Sequence, residues 1–190
     1  MSNAIEIEAK VLVKEEDYLI LKTAYKDYPS YTQTNYYIDN ESRELAKEGI
    51  ALRVREKNGS YEMTLKTPLS QGLLEKNQAL SKEQFLAYKE QGVFPKCDLV
   101  RFLTMLGFDV SKLKILTYLT TERIDVEVND GLLSIDKNVY SGKTDYEVEF
   151  EYNNMEGAKH ILKSLLAQNG VAAPFTKATK VHRAMAAIGK

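Results

Sequence analysis

Residues 5–10 read IEIEAK, in which Ile5, Ile7 and Ala9 alternate with Glu6, Glu8 and Lys10. Period two is the mark of a β-strand with two unlike faces. The charged face either meets bulk water or looks into an interior that requires two carboxylates and an ammonium. The first outcome belongs to an open sheet wetted on one side, the second to a barrel with a charged lumen.

The alternation recurs along the chain. In 49–57, Ile50, Leu52 and Val54 oppose Ala51, Arg53, Arg55 and Lys57; in 61–67, Tyr61, Met63 and Leu65 oppose Glu62, Thr64 and Lys66. Ile124, Val126 and Val128 oppose Thr121, Arg123, Asp125 and Glu127, and Leu133 and Ile135 oppose Ser134 and Asp136. In 145–152, Tyr146, Val148, Phe150 and Tyr152 oppose Asp145, Glu147, Glu149 and Glu151.

Taken one strand at a time, an antiparallel sheet with a core face and a wet face accounts for this pattern. Two features of the whole set point inward instead. The signs are segregated: Glu147, Glu149 and Glu151 share a face with no base among them, and Arg53, Arg55 and Lys57 are the reverse. Residues i and i+2 on a strand lie ~6.6 Å apart. Like charges at that distance repel by roughly 0.6 kcal/mol in water and about 2.5 at an effective dielectric of 20, which a merely soluble surface avoids by mixing signs. Amphipathic helices are also numerous enough to cover the apolar faces from outside. A charged lumen is stable only if its charges pair or bind ions.

The order of elements follows from turn and cap signals. A strand at 4–13 precedes a helix at about 15–28, and a strand at 33–40 follows Pro29-Ser30. Residues 49–68 form a hairpin about Asn58-Gly59, a two-residue turn signal, and 73–80 read as a strand. Ser81-Lys82-Glu83-Gln84 is a capping box opening a helix to about 90, and another helix runs over 98–107. Strands at 112–120, 121–129, 132–139 and 144–152 precede helices at 155–169 and 176–188. The expected architecture is one α+β domain over 1–190, largely antiparallel, with eight or nine strands and about five helices.

Composition sets the outer limits. The 190 residues carry 26 Lys+Arg against 27 Asp+Glu, a net charge of −1, so no global field favours nucleic acid or an anionic membrane. The single cysteine, Cys97, excludes an internal disulfide, fits a reducing compartment, and has no histidine near it in sequence to make it a nucleophile. No apolar run approaches the roughly 20 residues of a membrane helix, and the N-terminus lacks the basic and apolar regions of a signal peptide. A cytoplasmic location is expected. The oligomeric state, monomer or homodimer, is left open.

Carboxylates at i and i+2 can share a hard cation such as Mg²⁺ or Mn²⁺, while arginine forks grip phosphate oxygens. Neither GxxxxGK[ST] nor GxGxxG is present, so a Gly-rich phosphate loop is excluded. His160 and His182 are isolated and read as surface or packing residues; Tyr36, Tyr37, Tyr61 and Tyr118 read as core or barrel wall.

Glu6-x-Glu8-x-Lys10 resembles the ExExK signature of the CYTH domain, the family of class IV adenylyl cyclases and thiamine triphosphatases, also called triphosphate tunnel metalloenzymes. Gln33-x-Asn35-x-Tyr37-x-Asp39, Arg53-x-Arg55, Lys66, Arg123, Asp136, Glu147-x-Glu149 and "TKATKVHRA" (176–184) follow in that family's order. The resemblance spans about 4–184 and is closest to the short bacterial YjbK-like branch. It implies a closed eight-stranded antiparallel barrel forming a tunnel, helices packed outside, and Mg²⁺- or Mn²⁺-dependent chemistry on a triphosphate. Carried over by position, it implies Glu6, Glu8, Asp136, Glu147 and Glu149 as metal ligands. Lys10, Arg53, Arg55, Lys66, Arg123, Lys177, Lys180 and Arg183 would bind phosphates. Catalysis would then rest on Glu6, Glu8, Lys66, Arg123, Glu147 and Glu149. Glu75 is a plausible further member on an intervening strand, in surroundings less acidic than the resemblance leads one to expect, and Glu151 extends the acidic face toward the tunnel mouth. The leading expectation is a hydrolase of inorganic triphosphate; a cyclase making cyclic AMP, or a non-catalytic polyphosphate-binding module, are the alternatives.

Overall fold

The computed structural model describes residues 2–70 and 72–189. Nine strands form one antiparallel sheet: β1 (Ser2–Glu6), β2 (Glu8–Val13), β3 (Ser30–Asp39), β4 (Ala51–Lys57), β5 (Ser60–Pro68), β6 (Leu73–Leu80), β7 (Lys114–Val128), β8 (Gly131–Tyr140) and β9 (Lys143–Glu151). The order across the sheet is β1-β6-β5-β4-β3-β7-β8-β9-β2. Its two ends, β1 and β2, are consecutive in the chain. The sheet therefore curls into a barrel whose seam is bridged by Ile7 alone.

That seam splits the expected strand over 4–13 in two, making nine strands where the resemblance implies eight. The N-terminal strand turns from one edge to the other: Glu6 pairs with Leu73 on β6, whereas Glu8 pairs with Glu151 on β9. The Tyr152 amide donates to the Ile7 carbonyl at 3.0 Å, which secures the join. Gly72 sits against it at φ 77, a region closed to most side chains, and a Cβ there would strike the Glu6 carbonyl. Counting β1 and β2 as one broken strand restores eight positions around the barrel. The two strands expected at 112–120 and 121–129 are one strand of 15 residues: no turn interrupts it at Thr120-Thr121, and its one irregularity is a register shift against β3 between Ile115 and Thr117.

The Asn58-Gly59 turn takes φ 51 and 75, the doubly positive pattern of a tight hairpin. The helices are α1 (Glu15–Ala24), α2 (Glu44–Lys47), α3 (Lys82–Gln91), α4 (Asp98–Met105), α5 (Met155–Gln168) and α6 (Lys180–Ala187). The capping box at Ser81 forms, with Ser81 and Gln84 exchanging both bonds. The short helix α2 lies outside the sequence expectations. It is nucleated by Asp39, whose carboxylate accepts from the Leu45 amide at 3.0 Å and the Ala46 amide at 3.1 Å. Helix α6 begins four residues later than expected. Thr176 is held extended by its amide on the Lys10 carbonyl at 2.9 Å, and Thr179 caps the helix through the His182 amide at 3.2 Å.

Apolar residues point out of the barrel and are covered there. Val11, Ile124, Val126, Leu133, Ile135, Val148 and Phe150 pack under Tyr18 and Leu21 of α1 and Ala158, Leu162, Leu165 and Leu166 of α5. Across the barrel, Leu52, Val54, Met63 and Leu65 pack under Leu45, Phe85, Tyr88, Leu99 and Leu103 of α2, α3 and α4. A third cluster sits inside one end of the barrel, where Ala184 of α6 meets Tyr37, Leu119 and Tyr140. Tyr36 and Tyr61 lie on the outer wall against Phe85, whereas Tyr118 is 57% exposed on the outside and not a core residue. No described helix is long and apolar enough to cross a membrane.

Candidate active site

Helices on both flanks take up the apolar faces, so the charged faces of the strands meet across a cavity of about 390 Å³. Glu6, Glu8 and Lys10 line it, which settles the orientation of the opening stretch. Arg53, Arg55, Lys66, Arg123, Glu149, Glu151 and Lys180 line it too.

On the acidic side, strand register sets the neighbours. Glu8 lies opposite Glu151, Lys10 opposite Glu149, and Asp136 opposite both Arg123 and Glu147. Lys10 pairs with Glu8 and lies 3.8 Å from Glu149. Arg123 grips Asp136 with Nε at 2.7 Å and Nη2 at 2.6 Å, and Nη2 also reaches Glu149 at 2.8 Å. From α6, Lys180 Nζ sits 2.9 Å from Asp136, 2.6 Å from Glu147 and 2.7 Å from Glu149. Arg183 donates to Asp145 at 2.8 Å, to Glu147 at 2.7 Å and to the Ala178 carbonyl at 2.7 Å. Asp136 and Glu147 are fully buried. One oxygen each from Asp136, Glu147 and Glu149 lie within 4.8 Å of one another, a spacing that could hold a metal ion.

On the basic side the charges are less matched. Arg53 has Glu75 at 3.8 Å, Lys66 pairs with Glu6 and has Glu75 at 3.6 Å, and Arg55 donates to the Asn35 side-chain oxygen at 3.1 Å. Gln33, Asn35, Arg53 and Thr64 each present a buried polar atom without a hydrogen-bond partner. They include donors, Asn35 Nδ2 and Arg53 Nε, and an acceptor, Gln33 Oε1, so polar atoms of both kinds on this side are left unpaired.

The ionisation of the groups reflects the imbalance. Arg53 beside it, then burial and Arg123, push Arg55 down to about 10. Burial acts to lower Arg123, but Asp136 and Glu149 overcome it and raise the guanidinium well above its usual range. Glu149 is held well below the carboxylate range because Lys180, Arg123 and Lys10 outweigh its burial. Glu8 moves the other way: burial and the adjacent Glu149 raise it, and Lys10 does not fully offset them. Glu151 is raised by burial and by Glu6 and Glu75. Glu6, opposed by burial, is lowered by Lys66 and Arg53. Negative charge is thus in surplus around Glu8 and Glu151, and positive charge around Arg53 and Arg55.

Of the residues singled out by sequence, Lys177 stays exposed on the strap before α6, outside the cavity lining. Arg183 reaches the acidic wall from behind, and Asp136 and Glu147 stand behind the lining. Glu75, set in modest acidity by sequence, lies between Arg53 and Lys66. Asp145, the partner of Arg183, was not singled out; its place at the head of the Asp145-x-Glu147-x-Glu149 alternation was the available signal. His182 lies exposed at the end of the cavity and His160 is exposed on α5. That end is apolar, lined by Ala46, Ile50, Val181 and Met185.

A family model of the CYTH domain matches residues 4–184. A Bacillus subtilis protein described as a candidate triphosphatase, YjbK, is 34% identical over 181 residues, 93% of either chain. The crystal structure of a candidate adenylate cyclase from Bacillus halodurans superposes with a TM-score of 0.88 at 34% identity, covering 96% of this chain and 98% of that one. A candidate adenylyl cyclase from Hippeastrum, described as having a dominant triphosphatase activity, shares the fold at a TM-score of 0.75 and 23% identity, covering 94% and 95%.

Proposed function

Because the chain belongs to the CYTH domain family, we propose that it is a divalent-metal-dependent triphosphatase acting on a short linear triphosphate within its tunnel, with inorganic triphosphate as first substrate. The observation that carries the reading is the opposition, across one cavity, of surplus carboxylates at Glu8 and Glu151 to under-compensated Arg53 and Arg55. A polyanion with a hard cation neutralises both walls at once.

The all-oxygen donor set of Glu6 and Glu8, with Glu151 at the mouth, suits Mg²⁺ or Mn²⁺. Such an ion supplies charge and Lewis acidity toward phosphate oxygens and water. Arg53, Arg55 and Lys66 hold the phosphates, joined by Lys10, Lys180 and the Nη1 of Arg123, which donates no hydrogen bond among the described residues. Water attacks the terminal phosphorus, the bond to the bridging oxygen breaks, and orthophosphate and pyrophosphate leave. Charge developing on the leaving pyrophosphate falls against fixed guanidinium and ammonium groups that need no reorganisation.

A cyclase reading is favoured by the apolar end of the cavity between α2 and α6, where Ile50, Val181 and Met185 could seat a nucleoside. Incubation with triphosphate, ATP and thiamine triphosphate, with and without Mg²⁺ or Mn²⁺, separates the readings. Metal-dependent orthophosphate release, mainly from triphosphate, supports the hydrolase; cyclic AMP with pyrophosphate supports the cyclase. Tight polyphosphate binding with no turnover would leave a binding module.

A further inference from the structure

The buried carboxylates of Asp136, Glu147 and Glu149 already hold a cation that belongs to the chain. Lys180 Nζ lies 2.9, 2.6 and 2.7 Å from the three carboxylates, ion pairs at close range without hydrogen-bond geometry, so the buried ammonium is held by charge rather than by directed bonds. The remaining oxygens are taken as well: Arg123 closes on Asp136 and Glu149, and Arg183 Nη1 reaches the other Glu147 oxygen at 3.3 Å. Asp136, Asp145, Glu147 and Glu149 are thus each engaged by Arg123, Lys180 or Arg183, and Lys10, paired with Glu8, stands 3.8 Å from Glu149 as well. A divalent ion added there would lie a few ångströms from a buried ammonium and would compete with it and two guanidiniums for the same carboxylates.

The helix itself supplies an independent sign. Lys180 is the first residue of α6 and Arg183 lies in its first turn, with no acidic residue there. Cations at a helix N-terminus oppose the positive end of the helix dipole. Two of them in one turn are tolerable only because Asp136, Asp145 and Glu147 stand opposite.

We infer that Asp136 and Glu147 are positioning residues rather than metal ligands: they anchor α6 through Lys180 and Arg183, keep the Lys180 ammonium in the tunnel, and confine divalent metal to the side of Glu6, Glu8 and Glu151. The metal half of this statement rests on the function proposed above; the anchoring of α6 does not.

Mn²⁺ titration followed by the electron paramagnetic resonance of free ion, together with amide hydrogen exchange of 180–187, tests both halves. Asp136→Asn and Glu147→Gln should keep the wild-type number of bound Mn²⁺ within error, while α6 amides exchange at least tenfold faster. KM for triphosphate should rise about tenfold with kcat little changed, the pattern of lost uniform binding; a general loss of folded enzyme would leave KM alone. Lys180→Met should bind one additional Mn²⁺, because it vacates a place among three carboxylates, and this variant carries the test if Asp136→Asn fails to fold. The inference is overturned if either carboxamide variant loses one equivalent of Mn²⁺, if Lys180→Met gains none, or if α6 exchange is unchanged. Glu8→Gln is the control: if it binds Mn²⁺ as wild type does, the proposed metal site is wrong, and the exchange of α6 still decides the anchoring.

Discussion

Arg123 and Arg55 both project into the tunnel from alternating strands, yet their surroundings are opposite. Arg123 lies between Asp136 and Glu149 and is bound by two carboxylates. Arg55 lies beside Arg53, with only the Asn35 amide oxygen as its hydrogen-bonded partner among the described residues, and is pushed down to about 10. One guanidinium completes the folded protein; the other waits for an anion. Charge in a lumen therefore divides into a part that holds the barrel together and a part that is stable only when something binds.

Removing each arginine in turn puts that division at risk. Arg123→Met leaves Asp136 and Glu149 buried without their fork, and breaking such a pair costs about 3–5 kcal/mol. The loss should be read as a lower urea midpoint with unchanged slope. Arg55→Met should cost roughly 100-fold to 1000-fold in kcat/KM, about 2.7–4 kcal/mol, while urea stability holds or rises because repulsion with Arg53 is relieved. If both variants lost stability equally, the two walls would not differ as described. A third measurement sharpens the contrast without substitution in the acidic wall. Triphosphate at 100 times its Kd should stabilise the wild type by about 2.7 kcal/mol, raising Tm, and the gain should shrink sharply in Arg55→Met.

The smallest effect is one of pH, and the two acidic neighbours act with opposite sign. Glu149 is depressed in the folded state, so its contribution is present above its unfolded pKa and is lost as pH falls toward the folded value. Glu8 is raised, so in metal-free protein its contribution is present below the unfolded pKa and is lost as pH rises through the folded value. Thermal unfolding of metal-free protein should therefore show a stability maximum near the ordinary carboxylate pKa, falling on the acid side through Glu149 and on the alkaline side through Glu8. Glu8→Gln should remove the alkaline-side loss and leave the acid-side loss.

Much of this was legible in the alternation of residues and in the turn and cap chemistry. Asn58-Gly59 and Ser81–Gln84 are local devices whose geometry is decided within four residues, and both form as read. Parity also placed Glu6, Arg53, Lys66 and Glu149 on a common face. The break at Ile7 was not legible, because it is set by two distant edges, β6 and β9, competing for one strand. Helix α2 was hidden for a similar reason: its cap, Asp39, sits at the end of a strand rather than at the helix. Which carboxylates Lys180 would meet depended on how α6 enters the barrel, and no periodicity encodes that.

The seam at Ile7 has a bearing on how the chain assembles. The N-terminal strand of the domain finds its partners in Leu73–Leu80 and, later in the chain, in Lys143–Glu151. Until β9 exists, one edge of the sheet stays open and β2 has nothing to pair with. Contacts of such long sequence separation are slow to form and leave strand edges exposed to other chains in the interval. The same residues that close the tunnel, Glu8 through Val13, thus make closure the late step of folding. The purpose-built charges on their inner face, Glu8 and Lys10, are also what would keep that waiting strand from pairing with a neighbour's edge.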